Sequence, residues 1–491
     1  MSKASRGADH PARERRLERL SPLDVSNLRV EDHGLPMHVA ALAILEGTPL
    51  LDDSGQVRLD AVCEHLERRL YLAPRLRQVL HRPGFGLGPP LWVDDPSFDI
   101  REHVQTRAIP APGDEEALLK GCSELNEPPL DRSRPLWEVW LLTGLADGTV
   151  GLLVRLHHVV ADGIAALALI GALLDASPDA QAPVTSPWIS RPIPSTRELF
   201  ADNRARRAEA VSLLRHPSRM GRRLGWLVGQ GRQVLRDGFA PRTSFNRPVG
   251  RRRRLVLVRA DLDRAKVVAH GHGAKVNDVV LTAVAGGAQR LLESRGELKP
   301  GLVLKTTVAA SIRGPADDPA TGNLVGIMLA PLPVTEADPV RRLEGIGQAM
   351  AKRKRHPPYQ PSARFSQRLW VRAMFHQRLV NLFTSNLPGP PIPLYFAGAR
   401  ILQLFQVGVM QGNITIGVGV LSYAGQLNFD IVGDADVVPD LDVFAEGLSD
   451  ALDQLEVELQ SPTSLGPGSG REQPGEMEGR PLGPDRSGWG T

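Results

Sequence analysis

His157-His158-Val159-Val160-Ala161-Asp162-Gly163 constrains this chain more than any other stretch, because it joins two apolar runs of different length. Residues 150–156 are almost wholly apolar and carry a strand signal, whereas 164–174 form an apolar run long enough for a buried helix. A strand, a tight loop and a helix therefore meet at the two imidazoles.

Alternation along a strand separates the two histidines. His158 continues the row of Leu152, Val154 and Leu156, and His157 the row of Leu153 and Arg155, so only one ring can point into a given cavity. A neutral imidazole with a pKa near working pH can take a hydroxyl proton as that oxygen attacks a carbonyl, which contributes about two to four powers of ten in rate. The plain alternative is two hydrogen-bonded histidines at a strand end, with Asp162 capping the next helix. Zinc is disfavoured, since adjacent histidines face opposite ways and no third ligand cluster stands nearby.

At 491 residues the chain exceeds one ordinary core, so two domains are expected. With 42% hydrophobic and 5% aromatic residues, 48 Gly and 41 Pro, it suits an α/β enzyme rich in turns. Cys63 and Cys122 are the only cysteines, which supports neither a disulfide framework nor a cysteine metal site and favours a reducing compartment. No run of about 18 uncharged apolar residues is present to span a bilayer. The first 20 residues mix Arg and Glu without an apolar centre, unlike a secretory signal, and the expected location is the cytoplasm.

Along the first half, residues 1–19 read as a charged flexible arm and 20–180 as an N-terminal α/β domain, with strands at 37–45 and 134–142 and helices at 60–70 and 115–125. Residues 181–250 read as a linker, Pro-rich and then basic. The chain's net charge of +4 is unevenly spread, and residues 204–236 interleave many arginines with Leu, Val and Trp226. Such a segment can lie in an anionic membrane interface or on a lipid droplet, or it can be a solvated bridge whose arginine stems cover apolar surface. Nucleic acid is a poorer partner, because no reading motif accompanies the charge.

Residues 251–460 restart the pattern as a C-terminal α/β domain, and 461–491 read as a disordered tail. Asn277-Asp278 caps a helix carrying the Gly286-Gly287 pair, where a backbone or ligand could approach closely. A further helix is expected at 365–379 and strands at 401–409, 413–421 and 427–432. Thr384-Ser385-Asn386-Leu387-Pro388-Gly389-Pro390 reads as a rigid turn whose polar groups could donate to an oxyanion, or as ordinary turn chemistry.

These motifs together resemble one family, the bacterial wax ester synthases and acyl-CoA:diacylglycerol acyltransferases. The resemblance runs from about residue 20 to 459 and rests on Leu20-Ser21-Pro22-Leu23-Asp24, Pro36-Met37-His38-Val39, Pro135-Leu136-Trp137, the HHxxxDG heptad, Asn277-Asp278, Ser311-Ile312-Arg313, Gly322-Asn323 and Ser385-Asn386-Leu387-Pro388-Gly389-Pro390. The heptad alone is shared with chloramphenicol-acetyltransferase-like enzymes and condensation domains. The resemblance implies two such domains, each a mixed sheet flanked by helices, with an active-site tunnel between them. It implies His158 as general base with His157 supporting, Asp162 as a structural anchor beside Gly163 and ion-paired to Arg313, and Pro135, Leu136 and Trp137 lining substrate. Asn277, Ser385 and Asn386 are the oxyanion candidates. Acyl-CoA and a hydroxyl-bearing lipid are the implied partners, with no metal and no bound cofactor. Rival readings are a freestanding condensation-type enzyme, a specialised-metabolite acyltransferase, and a non-catalytic lipid-surface protein of the same fold.

Overall fold

The structure is a computed structural model that describes residues 17–161, 163–180, 188–214, 238–311, 325–355, 374–410 and 412–460, with isolated positions between 221 and 236. In the first half, helix α1 (Pro22–Asp32) leads into strand β1 (His38–Leu45), and helix α2 (Leu59–Arg69) into the hairpin strands β2 (Gln78–His81) and β3 (Leu91–Asp94). Strand β4 (Val104–Ala108), helix α3 (Glu115–Asn126), strands β5 (Trp137–Thr143) and β6 (Val150–His157), and helices α4 (Gly163–Ala172) and α5 (Thr196–Leu214) follow. The second half runs β7 (Arg253–Asp261), α6 (Leu262–Gly271), α7 (Val276–Ser294), β8 (Leu304–Ser311), β9 (Val325–Leu332) and α8 (Pro339–Arg353). It ends with β10 (Leu382–Pro388), β11 (Tyr395–Phe396), β12 (Ala399–Val407), β13 (Ile416–Tyr423), β14 (Gln426–Asp434) and α9 (Leu441–Gln460).

Two mixed six-stranded sheets result, ordered β11-β12-β1-β6-β5-β4 and β7-β14-β13-β10-β8-β9. This is the expected two-sheet α/β class, with one departure from the expected unit at 251–460. Residues 395–407 leave that unit and extend the first sheet, β12 running antiparallel to β1 with Ala40 opposite Val407.

β6 lies between β1 and β5 with every residue buried, which is why its sequence is apolar without alternation. Leu152, Val154 and Leu156 pack with Trp137 and Leu141, while Leu153 packs on the other side with Leu42 and Phe405. In the second half α7 packs against α9 so closely that a Cβ on Gly287 would lie 2.6 Å from the Phe444 carbonyl oxygen. The Gly286-Gly287 pair thus admits a helix backbone.

Three expectations change or fall away. Residues 384–390 are not a turn: residues up to Pro388 belong to β10, an interior strand parallel to both β8 and β13. Asn277 sits inside the first turn of α7 rather than capping it, and the Asp278 side chain accepts from the Lys275 amide at 3.0 Å. The helix expected at 365–379 falls mostly outside the described residues, as does most of 215–237. Among the described residues, no helix is long and apolar enough to cross a membrane.

Side-chain amides stitch the sheets together. Gln406 of β12 donates to the carbonyls of Ser385 at 2.7 Å and Val420 at 2.9 Å, and Asn428 of β14 donates to the Leu404 carbonyl at 3.0 Å. Asp430 continues this row, accepting from the Gly408 amide at 3.3 Å. Each such bond contributes about 1 kcal/mol net, but leaving a buried partner unmet costs more.

Burial pushes the Asp430 carboxyl up from 3.8 to about 8. The folded chain therefore holds a proton that the unfolded chain releases above the ordinary value, so this carboxyl lowers stability progressively from about pH 4 to about pH 8. Asp430→Asn is expected to raise the melting temperature at pH 8 relative to the parent and to have little effect at pH 4. Thermal denaturation at both values checks this, and equal shifts at the two would refute it.

Candidate active site

The site is built from α1 outward. Ser21 and Asp24 form a capping box, each side chain accepting the other's amide at 3.0–3.1 Å, and Pro22 occupies the first turn. The helix buries Ser26, Asn27, Leu28, Val30 and Glu31, so its inner face is largely polar. Asn27 and Glu31, four residues apart, share that face.

His157 ends β6 fully buried, opposite His38 of β1. The Val159 amide donates to its Nδ1 at 3.1 Å, which leaves the ring proton on Nε2, 3.3 Å from a Glu31 carboxylate oxygen. The other Glu31 oxygen lies 3.4 Å from His38 Nε2, and Arg132 grips the carboxylate with two donors at 2.9 and 2.6 Å. Behind His38, Arg155 is bonded to Glu138 at 2.9 Å and to the Pro128 carbonyl at 2.6 Å. Burial pushes the Glu31 carboxyl up, but the imidazoles of His157 and His38 and the Arg132 guanidinium gathered around it outweigh this and hold it well below the carboxylate range. Burial drives His38 the other way, below the ordinary imidazole value, and Glu31 only partly restores it.

His158 lies one residue beyond the strand and is half-buried. Its amide donates to the Met37 carbonyl at 2.7 Å, and its Nδ1 is 3.5 Å from the Asn27 amide nitrogen. α1 therefore touches both imidazoles, Glu31 at the sealed ring and Asn27 at the more open one.

The second sheet closes on this corner. A Cβ on Gly163, at the start of α4, would lie 3.5 Å from Leu387 of β10. Ser385 shares the strand face of Leu387, and its carbonyl is the one held by Gln406. Asn386 alternates to the opposite face and donates to the Asn277 Oδ1 at 3.4 Å. The three oxyanion candidates thus split into an Asn277–Asn386 pair and a separate Ser385. Leu136 and Trp137 are each 1% exposed. The Leu136 carbonyl accepts the His157 amide at 3.0 Å, and the Trp137 indole donates to the Leu76 carbonyl at 2.7 Å while stacking on His103. Pro135 is buried as well. Asp162 and Arg313 lie outside the described residues.

Glu31, Asn27, Arg132, Arg155 and Glu138 are absent from the residues singled out in the sequence. The capping box is a legible signal for α1, but a helix whose buried face is polar has no apolar period to reveal it.

Two mixed sheets, the first completed by a strand from the second half of the chain, with a histidine loop of one abutting a strand end of the other, define the chloramphenicol-acetyltransferase-like class of acyltransferases. The starter condensation domain of rhizomide synthetase, solved with C8-CoA, shares this fold with a TM-score of 0.57 at 15% identity, over 91% of this chain and 95% of that one. The chain belongs to the wax ester synthase/diacylglycerol acyltransferase family: residues 20–280 match its catalytic domain and 321–456 its C-terminal domain. A Mycobacterium tuberculosis protein named as a diacylglycerol O-acyltransferase is 32% identical over 465 residues, covering 89% of this chain and 90% of its own. A second from that organism is 32% identical over 457 residues, covering 89% and 96%. The solved wax ester synthase/diacylglycerol acyltransferase of Marinobacter aquaeolei has a TM-score of 0.65 at 25% identity, over 90% of this chain and all of that one. The chain is accordingly an acyltransferase.

Removing the Glu31 carboxylate strands the groups around it. Glu31→Ala is expected to lower unfolding free energy by about 3 kcal/mol, in the range for breaking one side of a buried ionic cluster. Because the folded carboxyl is depressed, its contribution is present above the ordinary value of 4.5 and fades as pH falls below it. Urea denaturation at pH 7 and pH 4 should show a smaller penalty at the lower pH, and a penalty independent of pH would refute the assignment.

Proposed function

We propose that this acyltransferase moves a long-chain fatty acyl group from acyl-CoA to the hydroxyl of diacylglycerol, of a fatty alcohol, or of both, with His158 as general base. The observation that carries this reading is the contrast between the two imidazoles: His157 is sealed against Glu31, while His158 is half-buried beside the corner where β10 meets α4.

Asn27 stands on the Nδ1 side of His158, and the opposite ring nitrogen, Nε2, is the atom proposed for proton transfer. That role requires the ring proton on Nδ1, which the Asn27 side chain meets by turning its amide so that the oxygen replaces the nitrogen now standing 3.5 Å away. Nε2 takes the acceptor's hydroxyl proton as the oxygen attacks the thioester carbon. The tetrahedral intermediate then collapses, the carbon–sulfur bond breaks, and the imidazolium returns its proton to the leaving CoA thiolate. The products are the ester and free CoA, with no acyl-enzyme.

Either the Asn277–Asn386 pair or Ser385, on the other face of β10, is proposed to supply the oxyanion donor, an effect of a few kcal/mol for a well-aimed group. Asp162 and Arg313 are proposed as the ion pair that steadies the loop. CoA enters as part of the substrate, and the chemistry calls for no metal or resident cofactor. The arginine-bearing segment 204–236 is proposed as a peripheral contact with anionic lipid. Its helix α5 is tethered by Arg19 to Asp202 at 2.6 Å and by Asn203 to the Gly86 carbonyl at 2.6 Å, leaving Arg204 and Arg207 exposed.

With long-chain acyl-CoA and a panel of hexadecanol, diacylglycerol and water, CoA release should require an alcohol. His158→Ala should lower kcat by about 10²- to 10⁴-fold with an unchanged melting temperature, whereas His157→Ala should lose stability as well. Full turnover in His158→Ala would remove the base. Replacing Arg204, Arg207, Arg232 and Arg236 with Gln should reduce sedimentation with phosphatidylglycerol vesicles, and unchanged sedimentation would reject the lipid contact.

A further inference from the structure

A cavity of about 500 Å³ lies between the segment entering β7, the loop before β8 and the segment entering β10. Arg242, Arg247, Lys299 and Arg378 line it, and among the described residues none of the four forms an ion pair. Glu297 is the one carboxylate among the described lining residues, and it accepts the Ser244 amide at 2.8 Å. Four cations against one carboxylate leave a concave, strongly positive surface.

The walls are rigid. Asn246 donates to the Val380 carbonyl at 2.9 Å, Gln377 to the Asn413 side chain at 2.8 Å, and Asn413 back to the Gln377 carbonyl at 2.9 Å. The guanidinium of Arg378 lies 5.4 Å over the ring of Phe239, which is 63% exposed. Like charges gathered on a fixed concave wall repel one another, and a polyanion relieves that repulsion while taking charge-assisted hydrogen bonds. An exposed aromatic ring beside the cations adds a flat face on which a nucleobase can stack.

Two paths place this cavity relative to the chemistry. Along α1, Asn27 at His158 leads over six residues, about 9 Å of helix rise, to His33, whose ring is 6.5 Å from that of Phe375, the residue before the cavity wall at His376. From Val380, whose carbonyl accepts from Asn246 of the cavity wall, the chain runs up β10 to Asn386 at the candidate oxyanion pair, about 20 Å by strand rise. The long pantetheine arm of CoA separates its thiol from its phosphates on that scale.

We propose that this cavity holds the phosphate-bearing nucleotide end of the CoA donor, with Arg242, Arg247, Lys299 and Arg378 as the phosphate ligands and Phe239 as the base-stacking face. The proposal rests on the acyl-CoA reading above, and it names the part of the protein that distinguishes CoA from a shorter thioester. Phosphate on a lipid headgroup or free in solution shares the same chemistry, and the test separates these sources.

Full-length parent and the double variant Arg242→Glu/Lys299→Glu are compared, with Arg242→Gln/Lys299→Gln as the milder pair and melting temperatures confirming that each folds. The charge reversal should raise KM for acyl-CoA at least tenfold with kcat within twofold, and leave kcat/KM for the matching acyl-pantetheine unchanged. Calorimetry should show adenosine 3′,5′-bisphosphate binding the parent more tightly than inorganic phosphate, and failing to bind the variant. An unchanged KM, equal losses for acyl-CoA and acyl-pantetheine, or a bisphosphate bound no better than inorganic phosphate would each overturn the proposal. Lost sedimentation with phosphatidylglycerol vesicles at an unchanged KM would reassign the cavity to lipid headgroups. Bisphosphate binding by a parent that turns over no acyl-CoA would sink the acyl-transfer reading and leave the nucleotide site standing.

Discussion

The Glu31 carboxylate is the point on which the catalytic corner depends. It takes two donors from Arg132 and faces His157 and His38, and it does so from the inner face of α1. A buried charge is tolerated only when it is paired and hydrogen-bonded, so the cluster must form whole or be costly. One result is positional: α1 cannot shift along its axis without breaking these contacts, and Asn27 four residues earlier is thereby held against His158. The two adjacent histidines divide the labour, His157 binding the helix and His158 remaining on the partly open side.

A second constraint ties this corner to the other sheet. Gln406, on a strand that belongs to the first sheet by pairing and to the second half by sequence, holds the Ser385 carbonyl of β10. Leu387 of the same strand reaches the start of α4. The groups flanking His158 and those proposed for the oxyanion are thus located by one continuous set of bonds rather than by two domains docking freely. The asymmetry within β10, with Ser385 on one face and Asn386 beside Asn277 on the other, follows from strand alternation alone.

The parts legible in the sequence are those whose burial is apolar. β6 and α4 announce themselves by uninterrupted hydrophobic runs, and β7, α6, α8, β13, β14 and α9 by period or by turn residues at their ends. α1 escapes because its inward residues include Ser26, Asn27 and Glu31, and the positions next to the two histidines escape with it. β10 reads as a turn because Thr, Ser, Asn, Pro and Gly favour turns, yet as an interior strand its backbone is satisfied from both sides by parallel neighbours. The pairing of β12 with β1 has no local signature at all, since it joins segments more than 300 residues apart in the chain.

That last pairing has a consequence for how the molecule comes into being. The strand that carries His157 is buried between β5 and β1, and β1 in turn is flanked by β12. During synthesis from the N-terminus, most of the first sheet exists long before residues 399–407 leave the ribosome, so one edge of β1 stays unpaired through that interval. Loop closure over so long a separation is slow and comes late in folding. The histidine-bearing half is therefore not a module that matures by itself, and completion of its sheet waits on a strand more than 300 residues further along the chain than β1.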